Sequence, residues 1–303
     1  MTICVGLDII NSRDESLKNF GAKIIMNNIQ VSATIVTFKN NIGELNRAIN
    51  SFLMTNLNVI IYIIDNSPTD YLKTHIITDR RVIYRFMGCN KGFGAGHNEI
   101  MRNKNLLGTY HLILNPDISF KQGTIDDLYY YMEHHYDVGN VMPKVIYPNG
   151  DLQYLCKLLP TPIDWIGRLI IPFKAIKDKI NDKFEMHFAD YNKCMNVPYL
   201  SGCFMFLRTS VIKEIGLFDT HIFMYGEDTD LNRRIYAKYK TMYNPDVTII
   251  HRHEQGSHKN LHLMWIHIKA AIYYFNKWGW FIDKERKEIN RKTINEYSIK
   301  PIQ

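Results

Sequence analysis

The chain has 303 residues, 46% hydrophobic and 22% charged, a balance that excludes disorder, collagen-like repeats and a small disulfide scaffold. Lys and Arg number 37 against 30 Asp and Glu, and the resulting +7 suits nucleic acid, an anionic membrane or a phosphorylated substrate without choosing among them. The five cysteines contain no C-x-x-C pair, which predicts reduced thiols, and no apolar run reaches the ~18 residues of a membrane span. Residues 1–10 are apolar but lack a basic leader, so no signal peptide is expected.

In chain order, Val31–Phe38 is β-branched and bounded by Lys39-Asn40-Asn41, the pattern of a buried strand. Glu44–Met54 sets Leu45, Ala48, Ile49, Phe52 and Leu53 on one helical face. Asn58–Ile64 predicts a second strand, stopped by the turn-rich Asp65–Asp70. Val82–Phe86 predicts a third, leading through a glycine-rich loop to a helix near His97–Asn103, and Tyr110–Leu114 a fourth, ended by Asn115-Pro116-Asp117. This alternation predicts an α/β fold with a mostly parallel, Rossmann-like sheet, whose ligands sit beyond the carboxyl ends of the strands. Asp65, Asn90–Asn98 and Asp117 all fall at those ends.

Further on, Thr124–His134 reads as a helix, Pro143–Gln153 as strands about a Pro-Asn-Gly turn, and Asp164–Lys193 as an amphipathic excursion. Val247–Ile250 is a last strand ending at His251. In Leu261–Phe275 the residues Leu261, Trp265, Ile268, Ile272 and Phe275 form one seam, expected to pack on the core, with Trp278 and Trp280 adding a membrane-interface alternative. The charged tail after Ile282 reads as a solvated helix.

The loop Asn90–Asn98 places His97 where a dinucleotide fingerprint needs its third glycine, which disfavours a nicotinamide or flavin oxidoreductase. Its glycines either admit a ligand close to the backbone or serve a tight strand-to-helix turn. Asp65 is an Asx turn or a ligand for base or sugar. Asp117 is a strand exit or an oxygen donor to Mg²⁺ or Mn²⁺. Glu227-Asp228-Thr229-Asp230 packs three acids at a helix start, more than the helix dipole requires, and their repulsion raises at least one pKa toward a general base's range. His251 or His253 is placed to complete a metal shell begun by Asp117.

Together the ordered motifs Val36–Asn40, Asp65–Asp70, Asn90–Asn98, Leu114–Asp117, Ser201–Cys203, Gly216–Asp219, Phe223–Leu231 and His251–His253 are similar to those of the inverting glycosyltransferases of family two, in particular the bacterial rhamnosyltransferase-like group. The resemblance implies a GT-A fold over residues 30–260, with a nucleotide-sugar half (about 30–120) and an acceptor half (about 121–260). An N-terminal extension (1–29) precedes it and a helical extension (261–303) follows. It also implies that Thr37, Asp65, Asn90, Gly92 and Asn115 meet the nucleotide-sugar. Asp117 and His251 would hold a divalent cation, Mg²⁺ or Mn²⁺, and Asp228 with Glu227 would form the catalytic acid cluster, Asp228 as base. The position commonly acidic in the wider family's metal motif is Asn115 here.

The implied reaction transfers a sugar, L-rhamnose from dTDP-rhamnose or a UDP-sugar as alternative, to a growing surface glycan such as O-antigen on a polyprenyl-pyrophosphate carrier. The implied setting is cytoplasmic, peripheral to the inner membrane through contact with anionic lipid, with no nucleic-acid partner. A basic, non-catalytic module for membrane or nucleic acid is the rival that leaves the acid cluster unexplained.

Overall fold

The computed structural model describes residues 28–252 and 261–299. His253 and nearly all of the N-terminal extension lie outside them. Strand β1 (Val31–Thr37) pairs in parallel with β2 (Val59–Asp65), and β2 with β3 (Val82–Phe86). β4 (Tyr110–Leu114) lies parallel on the other side of β1. Every residue of β2 and β4 is buried, as expected of strands covered on both faces.

Helix α1 (Ile42–Leu53) starts where the Asn41 side chain accepts the Glu44 amide at 3.1 Å, and it buries Leu45, Ala48, Ile49, Phe52 and Leu53 as the periodicity predicts. Each large member of that face contributes about 1.5–3 kcal/mol of burial. Helix α2 (Phe93–Met101) follows β3.

Beyond β4 come the short β5 (Ile118–Ser119), α3 (Thr124–His134) and the long β6 (Val138–Ile146). Ile146 bridges back to Leu152 around the Tyr147–Asp151 turn, close to the hairpin expected there. β7 (Cys156–Lys157) pairs with β9 (Tyr199–Leu200) in a small ribbon. Between them lie a π turn (Ile163–Gly167), a short helical stretch (Arg168–Ile170), α4 (Lys174–Phe184) and β8 (Met195–Asn196). The chain continues through β10 (Phe204–Arg208), α5 (Thr209–Ile215), α6 (Glu227–Tyr236), β11 (Lys240–His251), α7 (Leu261–Trp278) and α8 (Lys284–Tyr297).

One sheet runs β3-β2-β1-β4-β10-β6-β11-β5, with β8 paired to β11. Its first four strands are parallel, and β10 enters antiparallel between β4 and β6. The carboxyl ends of β1, β2 and β4 therefore open on one edge, where Thr37, Asp65 and Asn115–Asp117 sit.

Four expectations change. α2 starts at Phe93, four residues before His97, so Gly94 and Gly96 lie inside its first turns. The seam expected on α7 is buried only in part: Trp265 and Ile272 are exposed and Phe275 is buried, while the rest of the buried face is Ala270, Ala271 and Tyr274; Ala271, Tyr274 and Phe275 cluster with Trp165. Small alanines let this helix approach Trp165, a contact that apolar periodicity does not reveal. Nor is α8 merely solvated, because Arg286 and Thr293 are buried in it. Cys156, Cys194 and Cys203 are free thiols as expected, but Cys89 is disulfide-bonded, which corrects the all-reduced reading. Among the described residues no helix is long and apolar enough to cross a membrane.

Candidate active site

At the ends of β1 and β2, Thr37 and Asp65 are fully buried register partners, and the Thr37 hydroxyl donates to Asp65 Oδ1 at 3.1 Å. The Ser67 amide also donates to Oδ1 (2.9 Å), the Asx-type turn expected for Asp65. Tyr84 from β3 donates to Oδ2 at 2.6 Å, and burial first, then the carboxylate beside it, pushes the phenol pKa upward. Asp65 is thus held by three donors and fixes the shape of this edge. Tyr84 had no signal in sequence, since a tyrosine in a strand ordinarily reads as packing.

The glycine-rich segment is built for close approach between protein parts. Gly92 has φ +88°, and a Cβ there would lie 2.3 Å from the Phe223 carbonyl oxygen. A Cβ at Gly94 would meet Phe218 at 2.9 Å, and one at Gly96 would meet Val36 at 2.8 Å. The glycines therefore bring α2 against β1 and against the loop preceding α6. Asn90 accepts the Gly92 amide through Oδ1 at 3.0 Å, and Asn66 donates to the Gly92 carbonyl at 3.2 Å. Asn90 and Gly92 thereby link the β2 edge to the acid-bearing loop.

That loop turns into α6 through two residues in left-handed backbone, Tyr225 (φ +72°) and Gly226 (φ +115°). The Trp165 ring packs on Gly226 so closely that a Cβ would fall 2.2 Å from it. Glu227 and Asp228 follow at the start of the helix. Asp228 Oδ2 accepts the Gly202 amide at 2.8 Å and the Tyr199 hydroxyl at 3.3 Å, while Oδ1 accepts the Thr229 amide at 2.8 Å. Burial raises the Asp228 pKa, opposed by those amides and by the positive charge of Lys157. Glu227 is raised as well, by burial first and then by Asp228, and its Oε2 has no hydrogen-bond partner among the described residues. The third acid has another task. Asp230 is fully buried and receives Arg234, Trp278 and Lys277 at 2.8–2.9 Å, tying α6 to α7.

The metal-ligand candidates also converge. His251 Nε2 lies 3.4 Å from Asp117 Oδ2, and the Arg252 amide donates to the Asp117 carbonyl at 3.1 Å. Gln153 fixes the imidazole from behind: Oε1 lies 2.9 Å from Nδ1, and Nε2 donates to the His251 carbonyl at 2.8 Å. With Nδ1–H given to Gln153, Nε2 faces Asp117 as an acceptor. One carboxylate and one imidazole fit a divalent cation that takes the rest of its shell from a diphosphate and water. Among the described residues no group of three or more His, Cys, Asp or Glu forms a metal cluster, in keeping with Asn115 in place of an acid.

A short relay of hydrogen bonds joins the surroundings of Asp228 to those of Asp117. The loop that gives the Gly202 amide to Asp228 gives the Cys203 carbonyl to the Asn115 amide at 2.9 Å, two residues before Asp117. Gly202 permits this approach, since a Cβ there would sit 2.8 Å from Asp228 Cβ. Gln153, Tyr199 and Lys157 are further members that the sequence did not mark. Each belongs to no motif, and each reaches the cleft from the far side of a turn or ribbon.

Residues 33–216 match the model of glycosyl transferase family 2. Over 250 residues the chain is 23% identical to the N-acetylglucosaminyl-diphospho-decaprenol L-rhamnosyltransferase of Mycobacterium tuberculosis, covering 76% of this chain and 79% of that protein. Among solved structures it is similar to the mannosyltransferase PcManGT from Pyrobaculum calidifontis in complex with GDP-Man and Mn²⁺, with TM-score 0.52 and 12% identity over 90% of this chain and 76% of the other. It is also similar to GalNAc-T7 with UDP, GalNAc and Mn²⁺, with TM-score 0.56 and 14% identity over 75% of this chain, which spans 44% of that longer one. At these identities the two structures speak to fold. The family model covers more than half of the sequence, so the chain belongs to glycosyl transferase family 2 and is a glycosyltransferase with a GT-A fold.

Proposed function

We propose that the chain is a cation-assisted inverting rhamnosyltransferase, moving L-rhamnose from dTDP-rhamnose to a sugar hydroxyl on a membrane-held polyprenyl-diphosphate carrier of a bacterial surface glycan. The named reaction of the mycobacterial relative supports this choice of donor and acceptor. The observation that carries the chemistry is the relay joining Asp228 through Gly202 and Cys203 to Asn115, beside Asp117.

In this reading Thr37, Asp65, Asn90, Gly92 and Asn115 shape the donor side, and Asp228 accepts the proton of the acceptor hydroxyl as its oxygen attacks the anomeric carbon. The bond from that carbon to the nucleoside diphosphate breaks on the opposite face, the departing oxygen keeps the electron pair, and the configuration inverts. Asp117 and His251 would hold a divalent cation, which when bound neutralises charge on the leaving diphosphate. Burial pushes both carboxyls up, and Glu227 further through Asp228, which disfavours two charges on the pair; in this reading Asp228 carries the one. The Gly202 and Thr229 amides and the Tyr199 hydroxyl aim that carboxylate.

Nucleoside diphosphate release from a panel of dTDP- and UDP-sugars, with Mg²⁺ or Mn²⁺ and then with a chelator, tests the reading. The expected result is acceptor-dependent dTDP release from dTDP-rhamnose that the chelator abolishes. Asp228→Asn should lower turnover by about 10²–10⁴-fold while leaving the melting temperature near wild type. Full turnover in Asp228→Asn would remove the base assignment.

A further inference from the structure

Six exposed apolar side chains fall on two segments outside the proposed active site. Ile163, Ile170, Phe173 and Ile176 are each half or more exposed, and Phe281 and Ile282, at the turn between α7 and α8, are 84% and 86% exposed. The segments meet: Lys183 and Phe184 at the end of α4 line one cavity of about 630 Å³ with Phe281, Ile282, Lys284 and Lys287. Lys174 and Lys177 flank Phe173 and Ile176 along α4. Of the acids on this face, Asp283 is turned inward onto Arg233 at 2.7 and 2.9 Å, Glu285 pairs with the same guanidinium at 2.8 Å, and Asp164 accepts from Thr161 at 2.7 and 2.8 Å, which leaves Asp178 and Asp182 on α4 against Lys174, Lys177, Lys179, Lys183, Lys284 and Lys287.

We infer that this face, residues 163–183 with 281–287, docks the enzyme on an anionic phospholipid surface. The inference extends the reading in which the acceptor is membrane-held, but it stands on different residues. Apolar anchors ringed by lysines are the composition of an interfacial surface: the anchors enter the boundary between headgroups and acyl chains, and the ammonium groups meet lipid phosphates. A protein partner would leave the lysine ring unexplained unless it too were acidic, whereas a bilayer accounts for both components. The location is apt as well. The Phe184 ring lies 6.4 Å from that of Tyr199, whose hydroxyl reaches Asp228, so the docking face is one aromatic layer from the acid cluster. The face differs from the α7 seam suggested by periodicity, part of which is buried against Trp165.

The test is flotation of the full chain with phosphatidylcholine vesicles, with and without phosphatidylglycerol. Binding is expected with phosphatidylglycerol at low salt, falling as salt rises, and is not expected with phosphatidylcholine alone. The pair Phe281→Ser with Ile282→Ser, and separately Lys284→Glu with Lys287→Glu, should each weaken binding at least about tenfold. Both pairs should keep wild-type transfer to a short-chain, water-soluble acceptor, which shows that they fold. Failure of the wild-type chain to float with phosphatidylglycerol, or wild-type flotation by both pairs, would overturn the inference. So would a dimer that the Phe281/Ile282 pair converts to monomer without change in flotation, since a second copy would then cover this face. Absence of transfer by a wild-type chain that floats as expected would count against the proposed reaction, leaving the docking surface intact.

Discussion

At the residue scale, three titratable groups around Asp228 act on one another. Asp228 and Glu227 are both raised by burial, and Lys157 acts on Asp228 in the opposite direction. The Lys157 ammonium sits over the rings of Phe184 and Tyr199 at 5.7 and 5.5 Å, where burial lowers its own pKa. If Asp228 must be ionised to accept a proton, activity falls as pH drops through its raised pKa, above the ordinary range near ~4. Removing a positive charge raises that pKa further. Lys157→Met should therefore move the acid limb of the kcat profile to higher pH, by about one unit, with less effect at alkaline pH. An unshifted limb would mean that Lys157 only packs. The sequence marked Asp228 because three acids exceed what a helix start needs, and Asp117 and His251 because each ends a strand. It gave no sign of Lys157, Gln153 or Tyr199, whose roles depend on which turn lies against which.

Elements with a clean period were legible: the strands at Val82–Phe86 and Tyr110–Leu114 and the helix at Thr124–His134 fall where expected. The start of α2 was not, because glycine is a poor helix former and only the contacts of Gly94 with Phe218 and Gly96 with Val36 make it the right residue there. The same logic governs the entry to α6. Gly226 combines φ +115° with a Trp165 ring where its Cβ would be. Gly226→Ala should cost roughly 1–3 kcal/mol in strain and displace the first turn of α6, which carries Asp228. Turnover is then expected to fall on the order of tenfold or more, measured beside a urea denaturation curve. A stability loss with unchanged kcat would show that the Trp165 contact does not aim the base.

Over the whole molecule, the C-terminal helices are fastened to the acid-bearing helix. Arg233 of α6 is 2% exposed and pairs with Asp283 at 2.7 Å and Glu285 at 2.8 Å, while Trp278 stacks 4.2 Å from its guanidinium. With Asp230 held by Trp278 and Lys277, α6 is braced along its length by α7 and α8. Arg233→Met strands the buried Asp283 carboxylate and should cost about 3 kcal/mol of stability, read as a lower urea midpoint. Little or no change would mean that the pair's desolvation offsets its attraction. The helices after residue 260 are thus physically coupled to the acid-bearing helix; core packing was expected of Leu261–Phe275, whereas the charge of the tail after Ile282 suggested only a solvated helix. The +7 of the chain, open to three partners at the outset, now has two anionic counterparts in the account: a nucleoside diphosphate at the strand ends and lipid phosphate at the face around Phe281. The proposed reaction is a single inverting displacement with Asp228 as base. Its most direct test is NMR of the anomeric signals of the new linkage formed from dTDP-rhamnose and a polyprenyl-diphosphate-linked acceptor. One new glycosidic bond of configuration opposite to the donor is expected, absent with Asp228→Asn. A product that retains the donor configuration would contradict it.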